Sequence, residues 1–285
     1  MTIHLRRGNP TDAAAVGGIC YHAFTALAEA HNFPPDFPSP EAAAGLLSVL
    51  ISHQGIFDIV AEIDGKVIGS NFLDERNPIS GVGPVTVEPG VQNDGAGRAL
   101  MEAAMRRSEE RGFAGIRLVQ AGYHNRSLAL YLKLGFEARE QLACVQGPAV
   151  SKSVYGHTVR PATVNDLSEC NRLCFHVHGH DRGGELADAV TQGTAVVVER
   201  SGRVTGYSTS VGFIGHTVGE TNDDIKALIG AAESFIGPGF LVPTRNGELL
   251  RWCLGERLRI TQTMTLMTIG LYNEPNGAWL PSVIY

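Results

Sequence analysis

Residues 87–100 read VEPGVQNDGAGRAL. The order is a strand end, a turn carrying Gly90, Gly95 and Gly97, and the start of a helix. Between Gln92 and Gly97 the pattern is Gln-x-x-Gly-x-Gly. Glycines let successive backbone N–H groups converge with no side chain in the way. The helix N-terminus that follows adds free donors and positive potential. Such a nest fits a pyrophosphate and needs no lysine, although a plain tight turn before a helix reads the same. No Gly-Lys-Ser/Thr ending marks it as a P-loop. The dinucleotide fingerprint has another spacing and asks for an acidic residue about 20 positions on.

The pattern extends outward from this stretch. Residues 97–111, GRALMEAAMRRSEER, predict a helix with Leu100, Ala104 and Ser108 on one side, stopped by Gly112. Residues 115–120 predict a strand, and residues 125–134 a shorter helix ending at Gly135. Upstream, Pro84–Val87 is a strand candidate, and residues 57–70, FDIVAEIDGKVIGS, predict a hairpin about Asp64-Gly65. An apolar helix is expected over Ala13–Ala30. The segment His31–Ser39 after it carries Pro34, Pro35 and Pro38, with Pro40 just beyond, and reads as a loop placed to overlie a substrate pocket.

The stretch resembles the central motif of the GNAT superfamily of acyl-CoA-dependent N-acetyltransferases: a strand, an Arg/Gln-x-x-Gly-x-Gly/Ala turn and a long helix. A second block follows at the family's distance, NRSLALYLKLGF over residues 125–136, with Asn125, Tyr131 and Gly135-Phe136 in the family's order. The two blocks span residues 82–140. The resemblance implies that Gln92, Asn93, Asp94, Gly95, Ala96, Gly97 and Arg98 hold the pyrophosphate of acetyl-CoA. It implies that the edge carrying Val85 and Val87 pairs with the pantetheine arm, that Asn125 fixes that arm or a water, and that Tyr131 gives a proton to the departing thiolate. Acetyl-CoA is then the co-substrate, and Tyr131 and Asn125 are the catalytic candidates. The general base is left open among Glu88, Glu75, Asp74, His124, His22 and a water relay, or an amine that arrives already neutral.

The chain also echoes itself. LRRGNPTD at residues 5–12 matches VRPATVND at 159–166, so that Arg6 meets Arg160 and Asp12 meets Asp166 at an offset of 154, which also carries Cys20 to Cys174 and His22 to His176. The hairpin of residues 57–70 is echoed by TAVVVERSGRVTGY at 194–207. A period of about 150 residues implies two copies of one fold. The expected class is α/β (α+β): two tandem GNAT-like domains, each a mixed, mostly antiparallel central sheet flanked by helices. Residues 1–150 would be the catalytic domain and 156–285 a second copy, joined through QGPAVSKSVYGH at 146–157. The second copy departs from the motif. VGETNDDIKALIGAA puts Asp223 and Asp224 where the glycines stood, and two carboxylates repel a pyrophosphate. Trp252 or Cys253 stands at the tyrosine position, and Arg245-Asn246 partners the Asn125 region. This copy is expected to be degenerate, and to be structural or to shape the acceptor pocket. Its tail after residue 265 either completes the first domain, reaches the acceptor cleft, or simply packs.

Composition bounds the partners. The 285 residues carry a net charge of −6. Residues 1–155 hold 13 basic against 16 acidic side chains, and residues 156–285 hold 10 against 13, so each part is −3 and neither has a basic tail. That argues against nucleic acid as the main partner. No apolar run approaches a membrane span, and Arg6 and Arg7 run into a polar turn rather than a leader, so a cytoplasmic setting is expected. Five scattered cysteines fit a reducing compartment. Cys170 and Cys174 with His176, His178 and His180 lack a zinc spacing, so no metal is expected; HVHGHD reads instead as a substrate-side loop. The acceptor is expected to be a small-molecule amine. A non-catalytic acyl-CoA-binding or scaffolding module is the alternative, as is a protein or longer-chain acyltransferase. The oligomeric state is left open.

Overall fold

The computed structural model describes residues 2–285. The first half runs β1 (His4–Arg6), α1 (Ala13–Ala30), α2 (Pro40–Ser52), β2 (Ile56–Ile63), β3 (Lys66–Asp74), β4 (Ile79–Val82), β5 (Thr86–Val87), α3 (Ala96–Glu110), β6 (Gly115–Ala121), α4 (Asn125–Lys133) and β7 (Glu137–Gln146). The second half repeats much of that order as β8 (His157–Pro161), α5 (Leu167–His178), α6 (Gly183–Gln192), β9 (Val196–Arg200), β10 (Arg203–Ser208), β11 (Thr217–Gly219), α7 (Asn222–Ala231), β12 (Phe240–Pro243), α8 (Gly247–Gly255) and β13 (Arg259–Gly270), then adds β14 (Ala278–Leu280).

Both halves open with the same device. Arg6 pairs with Asp12 at 2.7 Å and with Glu62 at 2.7 Å. Arg160 pairs with Asp166 at 2.8 Å and with Glu199 at 2.7 Å. Each aspartate closes a capping box, with Asn9 in one half and Thr163 in the other. The box satisfies backbone donors that a helix start leaves free. The guanidinium ties that start to the first hairpin.

Two mostly antiparallel sheets result, each flanked by helices; the larger is mixed through the parallel β4–β6 pair, and the smaller is antiparallel throughout. The larger has the order β1-β2-β3-β4-β6-β13-β7-β12, with β5 paired to β3; the smaller is β14-β11-β10-β9-β8. The halves exchange strands. β13 lies antiparallel between β6 and β7, and β12 adds to the far edge of β7. Met267 of β13 therefore packs into the first core with Leu100, Met101 and Ala104 of α3 and Leu73, Ile116 and Leu118 of the sheet. α3 buries the face its sequence period predicts, including Ser108, whose hydroxyl lies 2.8 Å from that of Ser80.

Candidate active site

β4 pairs in parallel with β6 through Ile79–Gly81 and Gly115–Arg117. Gly83 and Pro84 then interrupt the strand, and proline has no N–H to continue a ladder. β5 resumes along β3. β6 continues to Ala121 with β13 on its other side. The sheet thus opens into a wedge between β5 and β6. A cavity of about 950 Å³ occupies it, with Val85 and Val87 on one wall and Leu118–Ala121 on the other. Free strand edges of this kind offer backbone groups to an extended ligand.

The wedge leads to the start of α3. Gly95 is the N-cap residue at φ 91°, and no side chain caps this helix. Asn93 also has positive φ, at 81°. The first-turn N–H groups of α3 have no intrahelical acceptors, so they remain available to an anion. Gly97, in that turn, lines the cavity. A Cβ there would meet nothing nearer than Leu130 at 3.8 Å and Val87 at 3.9 Å. Packing does not require glycine at this point; the missing side chain leaves the cavity open. Gln92 Nε2 donates to the Val87 carbonyl at 2.9 Å, and its Oε1 accepts from Arg126. The glutamine therefore ties the turn to β5 and α4.

Of the residues singled out by sequence, Val85, Val87, Gln92, Asn93, Gly95, Gly97, Arg98 and Tyr131 line this one cavity. Asp94 is exposed, Ala96 is buried beneath the turn, and Asn125 is exposed at the start of α4. His124, Arg126 and Ser127 line the cavity beside Asn125. Ser127 Oγ donates to Gln120 Oε1 at 2.8 Å, joining α4 to β6. Tyr131 is buried, with its ring centre 6.1 Å from that of Phe136. Burial pushes its phenol up to about 12, so it stays protonated at neutral pH and can donate.

Residues 23–136 match the acetyltransferase (GNAT) family. No curated protein matches the chain. Among solved structures, a protein from Pyrococcus horikoshii described provisionally as an acetyltransferase is 16% identical, with 97% of this chain and 94% of that one covered at a TM-score of 0.73. A GCN5-related N-acetyltransferase from Sphaerobacter thermophilus is 14% identical, with 95% and 96% covered at a TM-score of 0.61. The chain has the GNAT superfamily fold.

Within this GNAT fold the base candidates separate. Glu75 pairs with Arg107 at 2.6 Å, and Asp74 pairs with Arg76. Neither lines the cavity, nor do Glu88 and His22, the latter exposed on α1. His124 does line it. Burial, then Arg126, pushes its imidazole down to about 4, so it is neutral at physiological pH. The cysteines are buried, and burial pushes Cys20 up to about 12 and Cys144 up to about 11, which keeps both as inert thiols.

HVHGHD is not a substrate-side loop. His176 and His178 complete the last turn of α5, and His178 and His180 are buried against Trp279 and Tyr285, outside the cavity. The sequence reading missed two other groups. Asp36, from the proline-rich loop, lines the cavity, as do Phe213, Ile214, Ile236, Gln262, Met264 and Ile284 from the second half. A lone acid in FPPDFPSP was the available signal for Asp36; the second-half residues have no local signal.

The corresponding region of the second half is reduced to a smaller pocket of about 340 Å³, lined by Thr221, Asn222, Arg245, Asn246 and Trp279. Asp224 is wholly buried, accepts from the Thr221 amide at 2.9 Å and hydroxyl at 2.7 Å, and so caps α7. Asp223 pairs with Lys226 at 2.9 Å. Where β5 leaves an edge free, β11 pairs with β14 through Thr217–Gly219 and Ala278–Leu280. Asn246 caps α8 and bonds Asn222 across the gap, while Arg245 turns to Glu140 at 2.7 Å.

Proposed function

We propose that the chain is an acyl-CoA-dependent N-acyltransferase that moves an acetyl group from acetyl-CoA to a small-molecule amine. One cofactor site lies in residues 1–150, and residues 156–285 form a degenerate second copy that walls the acceptor end. The observation that carries this is the open wedge ending at an uncapped helix. In the first half it has free strand edges, free helix donors and a tyrosine along it. In the second half β14 and Asp224 fill the corresponding features.

When bound, acetyl-CoA supplies an activated thioester carbonyl. The turn at Gln92–Arg98 holds the pyrophosphate through backbone N–H groups, with Arg98 and Arg126 adding positive charge. The β5 edge at Val85 and Val87 holds the pantetheine arm in line, and orientation supplies much of the rate. Tyr131 gives its phenolic proton to the departing sulfur. His124, neutral at physiological pH, is positioned on the same cavity as a proton acceptor directly or through water.

Isothermal titration of the protein with acetyl-CoA tests the reading. Binding that is abolished in a G95D/G97D protein is expected; no binding at high-micromolar cofactor overturns it. With an accepted amine, Tyr131→Phe should lower kcat by roughly 10²-fold or more while leaving acetyl-CoA affinity intact. Tight acyl-CoA binding with no turnover of any amine in a broad screen would make the protein a binding module instead.

A further inference from the structure

The loop at residues 31–39 joins α1 to α2 and is held over the cavity by aromatic contacts. Phe33 stacks on Tyr123 with ring centres 4.3 Å apart, and His31 lies 5.1 Å from the same ring. Phe37 packs against Phe24 at 6.3 Å. Asp36 stands between Phe33 and Phe37 and faces the cavity. Its Oδ1 accepts from Gln262 Nε2 at 3.4 Å, and Gln262 Oε1 accepts from the Tyr123 hydroxyl at 3.2 Å. Gln262 belongs to β13, so this chain of contacts joins the loop, the first half and the exchanged strand.

Asp36 is half-buried, and unlike most of the buried acids it has no arginine beside it. Asp12, Asp58, Asp74, Glu140, Asp166 and Glu185 are buried, and each has an arginine within ion-pairing distance. Buried Asp224 has His157 at 3.3 Å. Asp36 has no ion-pair partner among the described residues, only the Gln262 amide. It is also the one carboxylate among the residues that line the cavity. The cations that line it, Arg98, Arg126 and Lys133, belong to α3 and α4 on the cofactor side. The rest of its surroundings, including Phe24, Phe37, Phe213 and Met264, is largely apolar. Burial raises its carboxyl above the ordinary aspartate range, with only the Gln262 bond opposing. A half-buried carboxylate among apolar side chains, with no cation beside it, gains from a ligand that supplies one.

We propose that Asp36 is the acceptor-binding carboxylate, and that it selects a protonated amine carried on an apolar alkyl or arylalkyl body. This deepens the acyltransferase reading and rests on it for the role of the amine. The charge layout fits both substrates at once: cations face the phosphates and one anion faces the ammonium. An acceptor with a carboxylate of its own beside the amine is disfavoured, because no arginine or lysine of the loop or of β13 lines the cavity beside Asp36.

The test is calorimetric titration of hexylamine and 2-phenylethylamine, against hexanol and 2-phenylethanol, into wild type, D36N and D36E with saturating CoA and again without it. Acetyl-CoA is titrated separately into each protein. The expected result is that both amines bind wild type at least about tenfold tighter than the alcohols. D36N should lose that preference, D36E should restore part of it, and acetyl-CoA affinity should be the same in all three. Equal amine affinity in wild type and D36N, amines no tighter than alcohols, or no amine binding overturns the assignment. If acetyl-CoA still binds in that case, the cofactor site stands and only the acceptor site falls. If acetyl-CoA fails while the amines bind through Asp36, the reverse holds.

Discussion

At the scale of single residues, Gly97 separates a folding role from a binding role. Glycine in a helix is less favourable than alanine by up to ~1 kcal/mol. Yet a Cβ at Gly97 would meet only ordinary van der Waals contact. Gly97→Ala should therefore leave the protein as stable or up to ~1 kcal/mol more stable in urea unfolding. The same change should weaken acetyl-CoA binding, because the methyl projects into the cavity. A loss of stability would show that packing chose the glycine. Asp166 makes a second case. Its hydrogen bonds from Arg160 hold the carboxyl well below the usual range. A depressed folded value contributes stability that is full above the unfolded value of about 3.9 and fades as pH falls towards the folded one. Asp166→Asn should thus be less stable than wild type at pH 7, and the gap should close below about pH 4. Unfolding curves at a series of pH values would read it.

At the scale of elements, the two corresponding helices α3 and α7 use their N-termini in opposite ways. α3 has no side-chain cap and opens on the cavity, so its donors are left for a ligand. α7 closes its own donors with Thr221 and Asp224. Asp224, one of the two carboxylates that the sequence sets against a pyrophosphate, lies inside the fold and is also bonded by the Thr205 hydroxyl. Asp224→Ala removes the cap and leaves buried donors without acceptors, which should cost about 1–3 kcal/mol. Chemical denaturation would measure it, and acetyl-CoA affinity should not change. A changed affinity would mean that α7 takes part in cofactor binding. The strand edges show the same contrast: β14 lies along β11, while the matching edge of β5 faces open space.

At the scale of the whole molecule, the strand exchange makes the two halves one unit. β13 separates β6 from β7, so the first sheet cannot be completed without the second half. Unfolding should accordingly be one cooperative transition. Both tryptophans, Trp252 and Trp279, lie in the second half. Their fluorescence should nonetheless report the same midpoint as far-UV circular dichroism. Acetyl-CoA bound to the first half should raise that fluorescence midpoint. Two separate transitions, or a fluorescence midpoint indifferent to acetyl-CoA, would contradict this coupling. The exchange also explains how the cavity is walled: β13 brings Gln262 and Met264 to it, and the chain after β14 brings Ile284.

The amino-acid sequence by itself determined what is local. The strand, glycine turn and helix of residues 87–110, the short helix at 125–133, the hairpins and the two arginine-anchored entry turns all rest on spacings of a few residues. Helical and strand periods are visible at that range. The cavity-facing places of Gly97 and Tyr131 followed once those elements were set in order. Asn125 shows the limit: its motif position was legible, but the first turn of α4 leaves it exposed and brings His124 and Ser127 to the cavity instead. Tertiary structure alone decided which strand lies beside which. β13 reads as a buried strand in any sheet, and nothing in its pattern names β6 and β7, more than 100 residues earlier, as partners. The half-buried setting of Asp36 has the same origin. A carboxylate in a proline-rich loop is ordinary until Tyr123 and Gln262, from distant segments, close around it. Pairing across such separations depends on the fit of whole surfaces, which leaves no mark in the neighbouring sequence.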